Sequence, residues 1–589
     1  MTEYENRKIH FLRELERVNQ RYNYISLARL VSAVLILIAL YYLIQTGENL
    51  LFIVVAGLAI FFAWMMKKHA LLANQKKLTH ALAKINADED DYLNARSIPF
   101  ENGSYYQDFS HPYAYDLDIF GEHSLFQHLN RTTTFIGQQT FARQLLNQLP
   151  NDQILQNQEA VKELSGKLEW RQDLMALGKI SNDTREQYET LLRWSRSPKH
   201  KLPLFHLVLA FVFPTALFLA FIGYLLTGEN GMIETVSYLF TANLILLGLF
   251  FKKIKSEIQN AEGIDKIIEQ YGLIINKISV ETFDSPKLND LKQQLVSGKQ
   301  QSAAHLKKLS ALFSQMDSIG NLVTTLLFNG LFLYHAHVLR AFWRWKSDHA
   351  QNLETWLNVI GEFEMLNSLA NIAYNNPDFA YPELNNNFEI QFSNLSHPLL
   401  KKATRVGNDV EFNPQFMVLT GSNMSGKSTF LRSLGINMVL TGIGSVVCAD
   451  NANVHPLPVL VSMRLSDSLS DSESYFYAEI KRLKQIMDQL DQRRSFVLLD
   501  EILRGTNSDD KRSGTIGVLK KMVGNQAIGA IATHDVEVCL TTNDYPELLT
   551  NQCFEAAIIA DDLHFDYKLR DGICQNKSAT FLMKKMDII

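Results

Sequence analysis

The sequence predicts a helical body that runs into a C-terminal α/β domain with a phosphate-binding loop, the body being interrupted by two membrane-crossing helical hairpins. Three observations carry this. GSNMSGKSTFLRS (Gly421–Ser433) follows the apolar run FMVLT (Phe416–Thr420) and opens a helical pattern. Four uncharged apolar runs stand upstream in two tight pairs. Elsewhere apolar residues recur at three- and four-residue spacing until NPDFAYP (Asn376–Pro382), where the period changes to short apolar runs alternating with helical stretches.

At 589 residues the chain has room for about three or four domains. A 47% hydrophobic share fits a soluble body carrying a few spans, and a net charge of −5 gives no global basic field for nucleic acid. Cys448, Cys539, Cys553 and Cys574 all fall in the last third without CxxC pairing, so small buried thiols in a reducing compartment are expected rather than a disulfide or zinc scaffold.

Residues 1–75 hold a basic segment and the first hairpin, with spans at about 30–47 and 50–66; a polar linker and the first part of the helical core follow over 76–200. The second hairpin occupies 201–255, with spans at about 204–226 and 235–251; the latter carries Asn243, and a buried core hairpin is the alternative for this pair. Each run is near the 17–25 apolar residues a span requires. Arg7, Lys8, Arg13, Arg17, Arg21 and Arg29 precede the first pair, and Lys67 and Lys68 follow it. Arg193, Arg196, Lys199 and Lys201 precede the second, and Lys252, Lys253 and Lys255 follow it. Both connecting loops lack Lys and Arg and both read Thr-Gly-Glu-Asn. The positive-inside rule therefore puts the loops outside and the N-terminus, core and C-terminal domain in the cytoplasm of a cytoplasmic-membrane protein. A fifth apolar run, Asn321–Leu339, is expected as a buried helix of the soluble body; residues 256–380 return the helical core, and 381–589 form the α/β domain.

Gly421-x-x-x-x-Gly426-Lys427-Ser428 between strand and helix is a phosphate-gripping loop. Its glycines let backbone N–H groups curl round phosphates, Lys427 reaches the β- and γ-phosphates, and the Ser428 hydroxyl takes Mg²⁺. SFVLLDE (Ser495–Glu501) ends a strand on Asp500, placed for the Mg²⁺ shell, and on Glu501, a general base for water. AIGAIATH puts His534 at a further strand end, suited to sensing the terminal phosphate. The reading is a Mg²⁺-dependent ATPase with ATP as cofactor.

These residues resemble the MutS family of mismatch-repair ATPases, within the ABC-type ATPase superfamily. TGSNMSGKSTFLR looks like its Walker loop, so Gly421, Ser422, Asn423, Met424, Ser425, Gly426, Lys427, Ser428 and Thr429 are expected to bind nucleotide. LLDEILRGTNSDD resembles its second acidic motif and THDVEV its histidine switch. SDSLSDSESYFYAEI (Ser466–Ile480) is similar to the loop that crosses between subunits, where Ser474 would reach the partner's γ-phosphate. SHPLL, VGNDV and LHFDYKLRDG match flanking segments; Gly121–Leu149 and Trp356–Tyr374 resemble the helical core and its lever. The resemblance implies a homodimer through the ATPase domains, with DNA as ligand. Two departures put mismatch reading in doubt: the basic segment, hairpin and linker over residues 1–110 take the place of the mismatch-wedging domain, and no helix-turn-helix is expected after SATFLMKKM. Ser472 also stands where the crossing loop usually has Gly. The function expected is a membrane-anchored ATPase switching a DNA-binding dimer; the alternative is an ATP-driven scaffold or transporter-like machine acting on a protein or lipid.

Overall fold

The computed structural model describes residues 2–181, 183–198, 203–259, 264–297, 300–413, 415–464, 475–559, 562–575, 583 and 588. Two antiparallel helices, Glu3–Thr46 and Asn49–Leu93, open the chain, and a second such pair is Leu204–Thr227 and Asn230–Gln259. All four are long and apolar enough to cross a membrane, and their apolar stretches are mostly exposed. The repeated tetrapeptide has a structural meaning. Gly47 and Gly228 both sit at φ +68°, each donating its N–H to the carbonyl four residues back, Leu43 and Tyr224. A left-handed residue ends each helix, and only glycine adopts that backbone without strain.

The segment after the first apolar pair differs from the polar linker expected there. Residues 58–98 hold neither Gly nor Pro, so the second helix continues to Leu93 and buries Asn86, Asp88, Glu89 and Asp90 against the body. The body itself is helical, including Asn151–Ser165, Leu168–Ser181, Ile264–Val280, Ser302–Asp317 and the 42-residue helix Tyr334–Asn375. The stretch from Ser124 to Leu149, helical throughout by periodicity, breaks at Asn130–Thr133, and Thr134 caps a new helix by accepting from Gly137 N–H at 3.1 Å.

The long helix ties these parts together. At its start the Trp343 indole donates to Glu257 of the second pair at 2.8 Å. At its end Asn371 donates to Glu89 at 3.0 Å, and the Tyr4 hydroxyl donates to Asn375 at 2.8 Å. Between them, the fully buried Glu364 accepts from the Thr134 hydroxyl at 2.7 Å and from the backbone N–H of Thr133 and Thr134 at 3.2 and 3.1 Å. Burial raises the Glu364 carboxyl to about 7, against the lowering effect of these hydrogen bonds. A carboxyl raised on folding binds its proton more tightly folded than unfolded, so its stabilisation is present below the ordinary value of 4.5 and fades as pH rises through 7. Thermal midpoints of wild type and Glu364→Gln should therefore converge at pH 5 and separate by pH 8, with wild type the one that falls.

The expected burial of Asn321–Leu339 holds only for its second half, where Leu333, His335, Ala336, Val338 and Leu339 are buried. An 11-residue helix, Leu322–Phe332, bends by 87° into the long helix at Leu333 and leaves much of its apolar surface exposed. Its inner face packs on the second pair instead, where Asn243 donates to Gly330 O at 2.9 Å.

Beyond Asn376 lies a six-stranded sheet in the order Asp562–Asp571, Leu549–Ile559, Phe416–Gly421, Ile528–Ala532, Phe496–Asp500, Val459–Ser462. Its pairings are parallel except for the first, antiparallel one. The central strands are buried throughout, as parallel strands covered on both faces must be. Gly529, at φ +150°, lies so close to Val497 backbone that a Cβ would collide with it. Glu383–Leu384, Asn451–Val454, Ile390–Leu395 and Asn408–Glu411 form a second, four-stranded sheet. One hydrophobic core runs from the helical body into one face of the large sheet, and Leu483, Leu519 and Met522 cover the other. Cys448, Cys539 and Cys553 are buried free thiols, and Cys574 is half-buried.

Candidate functional site

Three neighbouring strands of the large sheet end at one place. Phe416–Gly421 feeds the phosphate loop, Phe496–Asp500 delivers Asp500 and Glu501, and Ile528–Ala532 leads to His534. Parallel register aligns them, Ala532 lying opposite both Leu419 and Asp500. The loop turns into the helix Lys427–Gly442 through Gly426 at φ +102°, where a Cβ would press on the Tyr567 ring at 3.0 Å.

Residues Ser422 to Thr429, with Asp500 and Glu501, line a single cavity of about 570 Å³. Gly421 and His534 do not line it but touch residues that do, Gly421 through Lys427 and His534 through Lys427 and Glu501. The buried Lys427 ammonium donates to Gly421 O at 2.7 Å and Ser422 O at 3.1 Å, and stands 3.4 Å from His534 Nε2. Burial lowers its pKa, opposed by the charges of Glu501 and Asp500. Ser428 Oγ donates to Asp500 Oδ2 at 2.6 Å. His534 Nε2 meets Glu501 Oε1 at 2.6 Å, and that bond, against the raising effect of burial, holds the Glu501 carboxyl down at about 2. Asn423 and Met424 are exposed at the loop tip, Met424 at φ +68°. Ser474 and Ser472 lie outside the described residues.

The loop fits a phosphate. Ser422 Oγ and Ser425 Oγ are buried without a hydrogen-bond partner, and such hydroxyls cost free energy until something accepts from them or donates to them. The helix N-terminus behind them favours an anion. The Ser428–Asp500 pair is a hard oxygen set of the sort Mg²⁺ takes, since that ion keeps most of its own water and asks for few protein ligands.

Residues 417–586 match MutS domain V. That is a P-loop ATPase-type domain, and the mixed α/β sheet following a helical region agrees with it. The C-terminal part of the chain is 32% identical to the DNA mismatch repair protein MutS of Clostridium perfringens over 198 residues, 32% of this chain and 22% of that protein. It is 32% identical to the MutS of Methanococcoides burtonii over 235 residues, and 29% identical to that of Thermotoga neapolitana over 228. These stretches cover 38% and 37% of this chain and 26% and 28% of the two relatives. The chain thus spans about a quarter of the length of the curated relatives it matches.

The structure adds residues that motif reading missed. Arg504 donates to Asp500 O at 3.1 Å and Glu501 O at 2.9 Å, and lines the cavity. Buried Glu479 accepts from the backbone N–H of Leu503 and Arg504 at 2.7 and 3.2 Å, fixing the turn after Glu501. Tyr567 reaches the cavity from the antiparallel edge strand, where Asn408 donates to its carbonyl at 3.1 Å. Arg504 was within reach, three positions after Glu501 in the quoted acidic motif, and Tyr567 stands inside the quoted LHFDYKLRDG, where nothing local marks it as facing the cavity.

Proposed function

We propose that the protein is a membrane-anchored, MutS-like ATPase whose Mg²⁺-dependent hydrolysis of ATP switches a homodimer acting on DNA at the membrane. The observation that carries the ATPase reading is the pair of orphaned hydroxyls, Ser422 and Ser425, around a lysine that spends its donors on its own loop's carbonyls. Bound ATP and Mg²⁺ would supply the phosphoryl group and neutralise its charge. Lys427 would then turn from Gly421 O and Ser422 O to the β- and γ-phosphates, with Ser428 and Asp500 holding the metal. Glu501 would orient the attacking water and take its proton. At a pKa near 2 it is a poor base, so His534 must first release it. A histidine that leaves Glu501 for a terminal phosphate would make hydrolysis wait for the correct nucleotide. Ser474, by resemblance, would complete the site of a second copy. The four long apolar helices support an integral membrane location, with the basic flanks supporting a cytoplasmic ATPase.

The test is steady-state ATP turnover of the detergent-purified protein with linear, mismatched and branched DNA, beside Lys427→Ala. Stimulation by DNA at physiological salt, absent in the variant, is the expected result. Turnover indifferent to all three sinks the DNA reading. It would favour the second one, an ATP-driven membrane machine acting on protein or lipid, which draws support from the long helix fastened to both helical pairs.

A further inference from the structure

We infer that the helix Leu322–Phe332 is a third membrane element, a half-length helix that enters one leaflet beside the second pair and returns without crossing. The inference rests on the membrane reading above and goes beyond it, since this helix was expected inside the soluble body.

Length rules out a full span. Eleven residues cover about 16 Å, roughly half of a 30 Å hydrocarbon layer. Depth follows from one contact. Asn243 is the central residue of the apolar run Thr235–Phe251, and its side chain donates to Gly330 O at 2.9 Å. A Cβ on Gly330 would collide with the Phe240 ring, so the small residue permits this close approach. Gly330 therefore lies level with the middle of the neighbouring run. Trp343, further along the long helix, meets Glu257 and stands 5.9 Å from the Lys253 ammonium, just beyond the run's basic end. The chain thus climbs from mid-depth back to the charged boundary between Gly330 and Trp343.

Two further observations point to hydrocarbon as what covers the outer face. Leu322, Val323, Leu326, Leu327, Phe328 and Phe332 are 43–72% exposed, and the chain carries no Asp, Glu, Lys or Arg between Asp317 and Arg340. Polar groups at the helix ends are also met internally, as lipid demands. Asn321 Oδ1 accepts from the N–H of Val323 and Thr324 at 3.0 and 3.2 Å, and Thr325 Oγ1 donates to Ile319 O at 2.7 Å. Asn329 donates to Thr325 O at 2.9 Å and bonds the His335 ring, and Leu333 N–H closes on Asn329 O at 3.0 Å.

The test is nitroxide accessibility in the full chain, with Cys574→Ser throughout, in phosphatidylcholine vesicles. Labels go on Leu327→Cys, on Leu326→Cys as a second site, on Phe218→Cys in the helix Leu204–Thr227, and on Val280→Cys in the soluble body; all four positions are exposed. Polar nickel chelate partitions poorly into hydrocarbon, so the oxygen-to-chelate collision ratio at Leu327 and Leu326 should match Phe218 and exceed Val280 by about tenfold. Chelate access at Leu327 equal to Val280, with Phe218 still shielded, overturns the inference and leaves the membrane reading standing. Shielding of Leu327 from oxygen and chelate alike also overturns it, since the face would then be covered by protein. Free chelate access at Phe218 would instead overturn the membrane reading itself.

Discussion

Glu501→Gln is expected to bind ATP with wild-type affinity and to turn it over roughly 10²- to 10⁴-fold more slowly, the range a positioned general base contributes. The amide keeps the shape of the carboxylate and can still meet His534, 2.6 Å away in the wild type, so the loop around it should stay in place. What it loses is the capacity to accept a proton. Lys427→Ala should instead fail earlier. It removes the ammonium that bridges Gly421 O and Ser422 O and would face the phosphates, so both nucleotide affinity and turnover should fall. Measuring ATP binding by filter retention beside turnover separates the two. Turnover by Glu501→Gln within a few-fold of wild type would remove Glu501 from the proposed chemistry.

The largest stability effect should come from the joint between the first helical pair and the body. Arg131 and Glu89 are both buried and paired, and Arg131 lies 3.5 Å from the centroid of the Phe100 ring. Glu89 also accepts from Asn371 at 3.0 Å, so one carboxylate holds the loop before the helix Phe135–Leu145 and the end of the long helix together. Arg131→Ala leaves that carboxylate buried without its cation, which typically costs about 3–5 kcal/mol. Removing both charges, Glu89→Leu with Arg131→Leu, should cost less than the single change, because no buried charge is then left unpaired. Unfolding midpoints in detergent test both statements. A double variant less stable than Arg131→Ala would contradict them.

How far the sequence could be read depended on where each residue's partner sits. The large sheet was legible because its buried strands, such as Phe416–Gly421 and Phe496–Asp500, are short apolar runs with their chemistry at the strand end. Lys427, Ser428, Asp500, Glu501 and His534 could be collected from three segments because parallel strands deliver their ends to one edge. Asn86 to Asp90 could not be read the same way. They look like a solvated stretch, yet their partners lie far along the chain, Glu89 meeting Arg131 and Asn371, and Asn86 meeting Gln172. Local pattern carries no trace of such pairs. The break at Asn130–Thr133 has a similar cause, since Glu364, more than two hundred positions away, takes the N–H groups that a continuous helix would have used. The exposure of Leu322–Phe332 was not legible because an apolar run states only that water is avoided, not what covers it.

The two helical pairs stand on opposite ends of one rod, and that arrangement has a mechanical consequence. A body on a single post can nod towards and away from the surface that holds the post. One braced at two points along Tyr334–Asn375 cannot, provided both posts are planted in the same bilayer. From Tyr4 to Leu30 the first post runs about 39 Å at 1.5 Å per residue. Planted so, the body would keep its tilt, and only sliding in the plane and turning about the normal would be left. Two such molecules in one membrane would meet with their clefts already level, so much of the orientational search that slows association in solution would be over before they touch.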